Sequence, residues 1–177
     1  MKKFEGKVAI VTGAGSFGMG YHIAKMLAAE GAKVVVNDYS ILKDRGGVRG
    51  VDVVVDEIKA AGGEAIGVHA DVTKMENNKL IVEKAIEAYG KIDILMCVAG
   101  IIRYHSVPNI EESEWDFVMN VNSKAPYALC KYALPYMKEQ GSGNIVIFAS
   151  NAAFGFGGSA SYSAAKGAAL SFTEAFG

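Results

Sequence analysis

The sequence predicts an α/β fold with a doubly wound parallel sheet. Three observations support this prediction: apolar runs that do not alternate with polar residues, amphipathic stretches between these runs, and glycines at the junctions. A strand buried on both faces of a parallel sheet is apolar throughout, whereas an amphipathic helix repeats its apolar residues every three or four positions. Regular alternation of the two patterns is typical of a sheet that is covered by helices on both faces.

Five predicted strands alternate with five predicted helices. The strands are the segments 7–13, 33–38, 64–72, 91–100 and 143–150, and the helices are the segments 21–33, 51–63, 75–90, 112–140 and 161–176. Right-handed crossovers between parallel strands then give the strand order 3-2-1-4-5. Residues 39–50 are rich in glycine and basic residues and are predicted to form a surface loop.

The composition indicates one domain, residues 1–177, that acts on small molecules. A net charge of -1 gives no overall field that would attract nucleic acid or a membrane surface. The N-terminal apolar run is too short for a signal peptide or a membrane span, and Cys97 and Cys130 have neither disulfide-framework nor zinc-site spacing. We therefore expect a cytoplasmic protein without a metal site.

The segment TGAGSFGMG, residues 12–20, follows the first predicted strand and fits two glycine patterns. Gly13, Gly15 and Gly18 match G-x-G-x-x-G, whereas Gly13, Gly18 and Gly20 match T-G-x-x-x-G-x-G with one additional residue. Glycines between a strand and a helix let the backbone approach a pyrophosphate, and Asp38 ends the second strand where a carboxylate reaches the ribose hydroxyls. Together these features predict a dinucleotide site.

Asp38 favours NAD over NADP, because its carboxylate would repel a 2′-phosphate at close range. The glycine segment carries no basic residue to offset this repulsion. Arg45 and Arg49 in the following loop leave NADP open as the second possibility.

The segment YSAAK places Tyr162 and Lys166 one helical turn apart, beyond the carboxyl end of the fifth strand. A neighbouring ammonium group stabilises a phenolate and so makes tyrosine a usable acid or base. A Tyr-Lys pair at this spacing occurs often on helix surfaces, but in a nucleotide-binding α/β chain it predicts a catalytic pair.

Taken together, these residues resemble the short-chain dehydrogenase/reductase family, whose members interconvert alcohols and carbonyls with NAD or NADP on a Rossmann-like fold. The resemblance covers the whole chain and rests on the segments VTGAG with GMG, ND at 37–38, ADV at 70–72, AGI at 99–101, NVN at 120–122, AS at 149–150 and YSAAK. It selects the register Gly13, Gly18, Gly20, because the spacing from Gly20 to Asp38 is similar to that of the family.

The resemblance implies roles for individual residues. Tyr162 would be the acid or base, Lys166 would bind the nicotinamide ribose, Ser150 would hold the substrate oxygen, and Asn122 would anchor a proton-relaying water. The residues implied to bind the cofactor are Gly13, Ser16, Gly18, Gly20, Asp38, Asp71, Val72, Ala99, Gly100, Tyr162 and Lys166. A small alcohol or carbonyl would be the substrate, and similarity around residues 39–65 to the 3-hydroxyacyl and 3-oxoacyl thioester branches hints at a thioester.

The sequence departs from the family pattern at four places. The glycine segment is one residue longer, and Cys97-Val98 stands where the family has Asn-Asn. The spacing from Ser150 to Tyr162 is one residue short; the usual spacing gives Ala149, which cannot bind an oxygen. Family members also continue beyond residue 177 with two more strands and form dimers or tetramers.

That fourth departure leads us to expect an incomplete sheet whose fifth strand is an exposed edge, in a protein that is homo-oligomeric when complete. A nucleotide-binding fragment without turnover is the alternative function. Among the other candidates, His22 and His69 are expected to be packing or surface residues rather than ligands, Trp115 is expected to pack in the core, and His105 is a candidate for substrate contact.

Overall fold

The fold, described here from a computed structural model covering residues 2–43 and 46–176, centres on a five-stranded parallel sheet. The strands of the chain are β1 (Val8–Thr12), β2 (Lys33–Asp38), β3 (Ile41–Leu42), β4 (Val48–Arg49), β5 (Glu64–His69), β6 (Ile94–Cys97) and β7 (Asn144–Ile147). The helices are α1 (Met19–Ala29), α2 (Gly50–Ala60), α3 (Met75–Tyr89), α4 (Glu112–Met119), α5 (Ala125–Gln140) and α6 (Ala160–Phe176).

The main sheet has the order β5-β2-β1-β6-β7, and every neighbouring pair in it is parallel. This order confirms the predicted arrangement 3-2-1-4-5 of a Rossmann-like, doubly wound sheet. β1 lies at the centre and is buried along its whole length, which explains the continuous apolar run Val8–Val11 before Thr12. Because the chain turns to opposite sides of β1 in its two halves, a crevice opens between the carboxyl ends of β1 and β6.

Two hydrophobic clusters cover the two faces of the sheet. On one face, α1 and α2 pack through residues such as Leu27, Val54 and Ile58. On the other face, α3 and α5 pack through residues such as Ile81 and Leu129. The side chains between the layers are aliphatic, so burial of apolar area rather than polar pairing holds the helices on the sheet.

Three expectations about local structure were wrong. The segment predicted as a surface loop contains a small antiparallel sheet, in which Ile41 and Leu42 pair with Arg49 and Val48; Arg45 lies outside the described residues. The predicted helix 112–140 is interrupted by a π-helical turn at Asn120–Lys124. Trp115 is 38% exposed, because α4 buries only Val118.

β7 forms one edge of the main sheet and pairs, among the described residues, only with β6. Its residues alternate between exposed and half-buried, and Val146 is 42% exposed. This strand therefore has the exposure that was expected of the fifth strand.

At the end of the sheet opposite the crevice, the carboxylate of Asp93 joins two segments of the chain. Its carboxylate accepts hydrogen bonds from the backbone N–H of Val8 at 2.9 Å and from Lys7 Nζ at 3.1 Å, and Lys91 Nζ lies 2.9 Å away. Burial opposes ionisation of this carboxyl, but its bonds with Lys91, Val8 and Lys7 prevail and lower its pKa below 3.8. The ionised carboxylate therefore fixes the start of β1 against the start of β6.

We predict that Asp93→Asn destabilises the protein at neutral pH by about 1–3 kcal/mol, because it removes a buried acceptor of charge-assisted hydrogen bonds. A lowered folded-state pKa contributes stability above 3.8 that is lost as the pH falls through the folded-state value. Urea unfolding should accordingly show this difference in the free energy of unfolding between wild type and Asp93→Asn at neutral pH, and a smaller difference in acid. Asp52→Asn, at an exposed ion pair with Arg49, is the control; an equal loss there would contradict the assignment.

Candidate active site

A cavity of about 510 Å³ lies along the crevice at the carboxyl ends of the central strands. Its walls come from the segments that follow β1, β2, β5 and β6. Eight of the predicted cofactor-binding residues line it: Gly13, Ser16, Gly20, Asp38, Asp71, Val72, Ala99 and Gly100. These eight residues therefore line one cavity, together with several residues that the sequence analysis did not name, among them Asn37 and Tyr39; their contact with a cofactor stays a prediction.

Close backbone contacts explain the glycines after β1. Gly13 has a φ of +66°, and a Cβ there would lie 2.7 Å from the Cα of Ala99. A Cβ at Gly20 would collide with the carbonyl oxygen of Gly13. Only glycine fits these contacts, so the first turn of α1 can lie directly against the end of β1.

Gly15 belongs to the glycine register that was not preferred, yet it has a defined structural role. Its N–H donates to Asp38 Oδ2 at 2.9 Å, and a Cβ on it would lie 2.6 Å from the Cβ of Asp38. The alternative G-x-G-x-x-G register was the sequence signal for this residue. Both registers therefore contribute glycines that the local packing requires.

Gly18 precedes α1 in an extended conformation, with a φ of 178°. A Cβ there would meet only the carbonyl oxygen of Ser16, at 3.8 Å, so space remains beside this residue. Within the described chain, no side chain caps α1 and no acidic residue lies in its first turn. The exposed N–H groups and the helix dipole can accordingly receive an anionic group such as a pyrophosphate.

Asp38 is held at the end of β2 by two backbone hydrogen bonds. Oδ2 accepts from Gly15, and Oδ1 accepts from the N–H of Ser40 at 2.8 Å. These bonds fix the carboxylate at the wall of the cavity, and each oxygen has a further lone pair for a ligand hydroxyl. Tyr39 stands next to it at the rim, with its ring 5.1 Å from that of His69.

Asn122 is buried within the π-helical turn between α4 and α5. Its Nδ2 donates to the carbonyls of Ile101, at 2.8 Å, and Val118, at 2.9 Å, and its Oδ1 accepts from the N–H of Ile101 at 3.2 Å. A π-helical turn leaves a helical carbonyl without its usual partner, and such turns are frequent at functional sites. Here the side chain of Asn122 reaches across to the segment that follows β6.

Lys166 is 4% exposed, and its Nζ donates to the carbonyl oxygen of Phe148 at 2.6 Å. Burial lowers the pKa of Lys166 below 10.5. Its Nζ also lies 5.5 Å from the centre of the Tyr162 ring. A Cβ built on Gly100 would lie 3.1 Å from Asn122 Oδ1 and 3.7 Å from Lys166 Nζ, so both polar groups lie beside Gly100.

Ser150 lies at the carboxyl end of β7, where it begins a short 3₁₀ turn, Asn151–Phe154. Its Oγ accepts from the N–H of Ala152 at 3.2 Å, and the turn packs against α6, the helix that carries Tyr162 and Lys166. The structure therefore places Ser150 and the Tyr-Lys pair in adjoining segments. Ala149 offers no polar side-chain atom.

The remaining candidates have packing roles. Cys97 and Cys130 are buried together, and their contact, with burial, raises the pKa of Cys97, so this thiol remains protonated. The ring of His22 packs on Phe17 and Tyr21. Among the described residues, no group of three or more His, Cys, Asp or Glu side chains is arranged to hold a metal ion, and no helix has the length and apolarity to cross a membrane.

His105 lies in the segment after β6 and is bonded to protein groups. Its Nδ1 is 2.7 Å from Glu114 Oε1, and its backbone forms an isolated parallel bridge with Ser159. Ser159 Oγ in turn donates to the carbonyl of Arg103 at 2.9 Å. These bonds join the segment after β6 to the segment before α6; contact of His105 with substrate stays a prediction.

The fold and the crevice define a Rossmann-like α/β protein with a glycine-lined cavity at the carboxyl ends of its central strands. The family model for short chain dehydrogenases matches residues 7–177. The chain therefore belongs to the short-chain dehydrogenase/reductase family, as the sequence resemblance indicated.

Several curated proteins are similar to the chain. It is 41% identical over 167 residues to a peroxisomal multifunctional enzyme type 2 of Drosophila melanogaster, covering 93% of this chain and 27% of that protein. It is 42% identical to a peroxisomal hydratase-dehydrogenase-epimerase of Neurospora crassa, covering 97% and 19%. An uncharacterized oxidoreductase of Thermotoga maritima is 41% identical, with coverage of 97% and 64%. The chain thus spans between one fifth and two thirds of the length of these relatives.

Solved structures have the same fold. A short chain dehydrogenase from Mycobacterium avium superposes with a TM-score of 0.88 at 37% identity, covering 96% of this chain and 61% of that one. A metagenomic short-chain oxidoreductase in complex with NADP also has a TM-score of 0.88, at 29% identity, covering 97% and 75%.

We predict that wild-type protein gains stability relative to Lys166→Met as the pH rises from neutral toward 10.5. Because burial lowers the folded-state pKa of Lys166, folding releases a proton in this range, and the cost of burying the ammonium group disappears as the lysine loses its charge. Urea unfolding of both proteins over this range measures the change. Lys79→Met, at an exposed position on α3, is the control; a constant difference between wild type and Lys166→Met would contradict the prediction.

Proposed function

We propose that the chain carries an NAD-dependent oxidoreductase site that interconverts a secondary alcohol and a ketone. The main support is the position of Lys166: its Nζ lies 5.5 Å from the centre of the Tyr162 ring, and both this Nζ and Asn122 Oδ1 lie beside Gly100. A buried ammonium group thus lies near a phenol and near Gly100, which lines the cavity. A surface Tyr-Lys pair would have no such burial.

The cavity fits an extended dinucleotide. Glycine contacts open the backbone beside α1 for the pyrophosphate, and Gly13, Ser16, Gly18 and Gly20 would surround it. Asp38 would accept hydrogen bonds from the adenosine ribose hydroxyls, while Asp71 and Val72 would flank the adenine.

At the other end of the cavity, Ala99 and Gly100 would line the nicotinamide half, with Lys166 and Tyr162 toward its ribose. When bound, the cofactor would supply or accept the hydride.

Proton transfer would belong to residues of the chain. Tyr162 would give its hydroxyl proton to the carbonyl oxygen during reduction and take it back during oxidation, while Ser150 would hold that oxygen by a hydrogen bond. The ammonium group of Lys166 would stabilise the phenolate. Asn122, fixed by Ile101 and Val118, would hold the entrance of a proton path toward Lys166.

A 3-hydroxyacyl or 3-oxoacyl thioester is the substrate class we propose. The names of the Drosophila and Neurospora relatives describe multifunctional peroxisomal enzymes, and the second name includes a dehydrogenase. A chain that binds the dinucleotide without turnover is the second candidate; the replacement of the expected Asn-Asn by the buried residues Cys97 and Val98 favours it.

Cellular location and assembly belong to the same proposal. The two cysteines are free and buried, which is compatible with a reducing cytoplasm, whereas several relatives have peroxisomal names. Tyr127 and Tyr136 on α5 are 42% and 36% exposed, which supports association into a homo-dimer or homo-tetramer through helix faces.

We predict that the protein binds NAD more tightly than NADP, because the carboxylate of Asp38 would face the 2′-phosphate. Asp38→Ser should lower the ratio of the Kd for NADP to the Kd for NAD by about ten-fold, equivalent to about 1.4 kcal/mol. Calorimetric titration of both cofactors measures it. Asp56→Ser removes an exposed carboxylate from α2 and is the control; tighter binding of NADP by the wild-type protein would overturn the assignment.

We predict that Tyr162→Phe lowers turnover of a 3-hydroxyacyl thioester by about 10²- to 10⁴-fold, the usual contribution of a general acid or base. The affinity for NAD should change only a few-fold, because the phenol moves the proton and contributes little to cofactor binding. The absorbance change of the cofactor during the reaction measures turnover, and titration with NAD measures the affinity. Tyr104→Phe, at an exposed tyrosine of the segment after β6, is the control. Undiminished turnover in Tyr162→Phe would remove this residue from the mechanism, and a wild-type protein that binds NAD without turnover would favour the second candidate function.

A further inference from the structure

Three asparagines surround the segment that joins β5 to α3. Asn37 Nδ2 donates to the carbonyls of Val68 and Ala70, each at 3.0 Å. Asn78 Nδ2 donates to the carbonyls of Val72 at 2.7 Å and Lys74 at 2.8 Å.

Asn77 completes the set, because its Nδ2 donates to the carbonyl of Asp71 at 3.0 Å. Five carbonyl groups within residues 68–74 are thus bound by side-chain amides.

The orientation of the two buried amides follows from their partners. Carbonyl oxygens can only accept, so the NH₂ groups of Asn37 and Asn78 must face them. The Oδ1 atoms then have no partner among the described residues. Five buried side-chain polar atoms of the described chain lack a partner, and four are at this end of the sheet: Asn37 Oδ1, Ser40 Oγ, His69 Nε2 and Asn78 Oδ1.

Unpartnered buried polar atoms oppose folding, and their concentration at one place calls for an explanation. Apolar residues at positions 37 and 78 would avoid the two orphaned oxygens but would leave carbonyls of the joining segment unbound. The amides therefore fix the path of this segment at a cost to the fold.

The fixed path leaves a specific set of groups available at the cavity wall. The carbonyls of Asp71 and Val72 are occupied, whereas the N–H of Val72 has no hydrogen bond to a described residue. Asp71 Oδ1 accepts from the N–H of Thr73 at 2.9 Å, which leaves its other oxygen for a ligand. One N–H donor beside one carboxylate acceptor matches the N1 acceptor and exocyclic amine of adenine.

We propose that Asn37, Asn77 and Asn78 are positioning residues for adenine recognition. They touch backbone carbonyls rather than the cofactor, and they hold Asp71 and Val72 in the geometry that distinguishes adenine from hypoxanthine, whose N1–H and carbonyl have the opposite polarity. This inference rests on the proposed dinucleotide-binding function.

The test compares Kd values for NAD and nicotinamide hypoxanthine dinucleotide, with thermal unfolding in parallel. Asn78→Leu and Asn37→Val should each weaken NAD binding by about ten-fold, equivalent to about 1.4 kcal/mol. The same variants should bring the ratio of the two Kd values closer to one. Asn77→Ala, at a half-buried position with one bond to a carbonyl, is the variant expected to fold normally. It should change the Kd for NAD and the ratio of the two Kd values in the same direction as the other two variants, but by a smaller factor.

Gln140→Leu is the matched control, because Gln140 Nε2 also donates to two backbone carbonyls, those of Ile92 and Ser142, away from the cavity. It should lower the unfolding temperature and leave the Kd ratio unchanged. If Asn77→Ala and every folded variant at positions 37 and 78 keep the wild-type ratio, the positioning role is wrong while the dinucleotide function stands. A wild-type protein without affinity for NAD or NADP would overturn the proposed function and the positioning role together.

Discussion

The close approach of β1, α1 and the segment after β6 is the constraint on which the rest of the structure depends. Gly13 touches the backbone of Ala99, and Gly20 touches the carbonyl of Gly13, so three backbones meet without side chains between them. The hydroxyl of Thr12 accepts hydrogen bonds from the N–H groups of Val98 and Ala99, both at 3.2 Å. A larger residue at either glycine would separate these segments and open the wall of the cavity.

This junction connects the two halves of the site. On one side, the glycine segment extends to Gly15, whose N–H binds Asp38 at the end of β2. On the other side, Ala99 leads to Gly100, beside which Asn122 Oδ1 and Lys166 Nζ both lie. The end of the cavity proposed for adenosine and the end proposed for catalysis are therefore positioned from one point, although the residues that form them are far apart in sequence.

The sequence predicted the fold and most of the cavity because both depend on local patterns. Continuous apolar runs identify buried parallel strands, and a glycine segment followed by an acid at the end of the next strand identifies the crevice. Gly13 and Asp38 were identified in this way, whereas Gly100 was named only because of the family resemblance. The role of Ser150 came from the resemblance, and that of Tyr162 came from its spacing to Lys166 and from the resemblance; the chemistry of both residues stays a prediction.

The missed features depend on contacts between distant segments. Nothing in the residues around Asn37 indicates that its amide binds the carbonyls of Val68 and Ala70, which lie 31 and 33 positions later. Asn78 binds the carbonyl of Val72, six positions earlier, and nothing in its own neighbourhood indicates that both amides bind the same joining segment. The π-helical turn was also missed, since residues 120–124 have no proline or glycine to mark an interruption. Trp115 was misplaced because a large apolar residue in an amphipathic segment suggests burial, whereas α4 turns that residue outward.

The π-helical turn has a consequence for the phase of the long helical segment. It inserts one residue into the helical repeat, which rotates every later side chain by about 100° relative to a regular α-helix. Converting Asn120–Lys124 to a regular α-helix of the same length would therefore turn the face that α5 presents to the sheet by that angle relative to α4. Deleting one residue within the turn would instead restore regular hydrogen bonding and leave that face in place. With the present number of residues, the apolar face of α5 and the inward direction of Asn122 are compatible only while the irregular turn is kept.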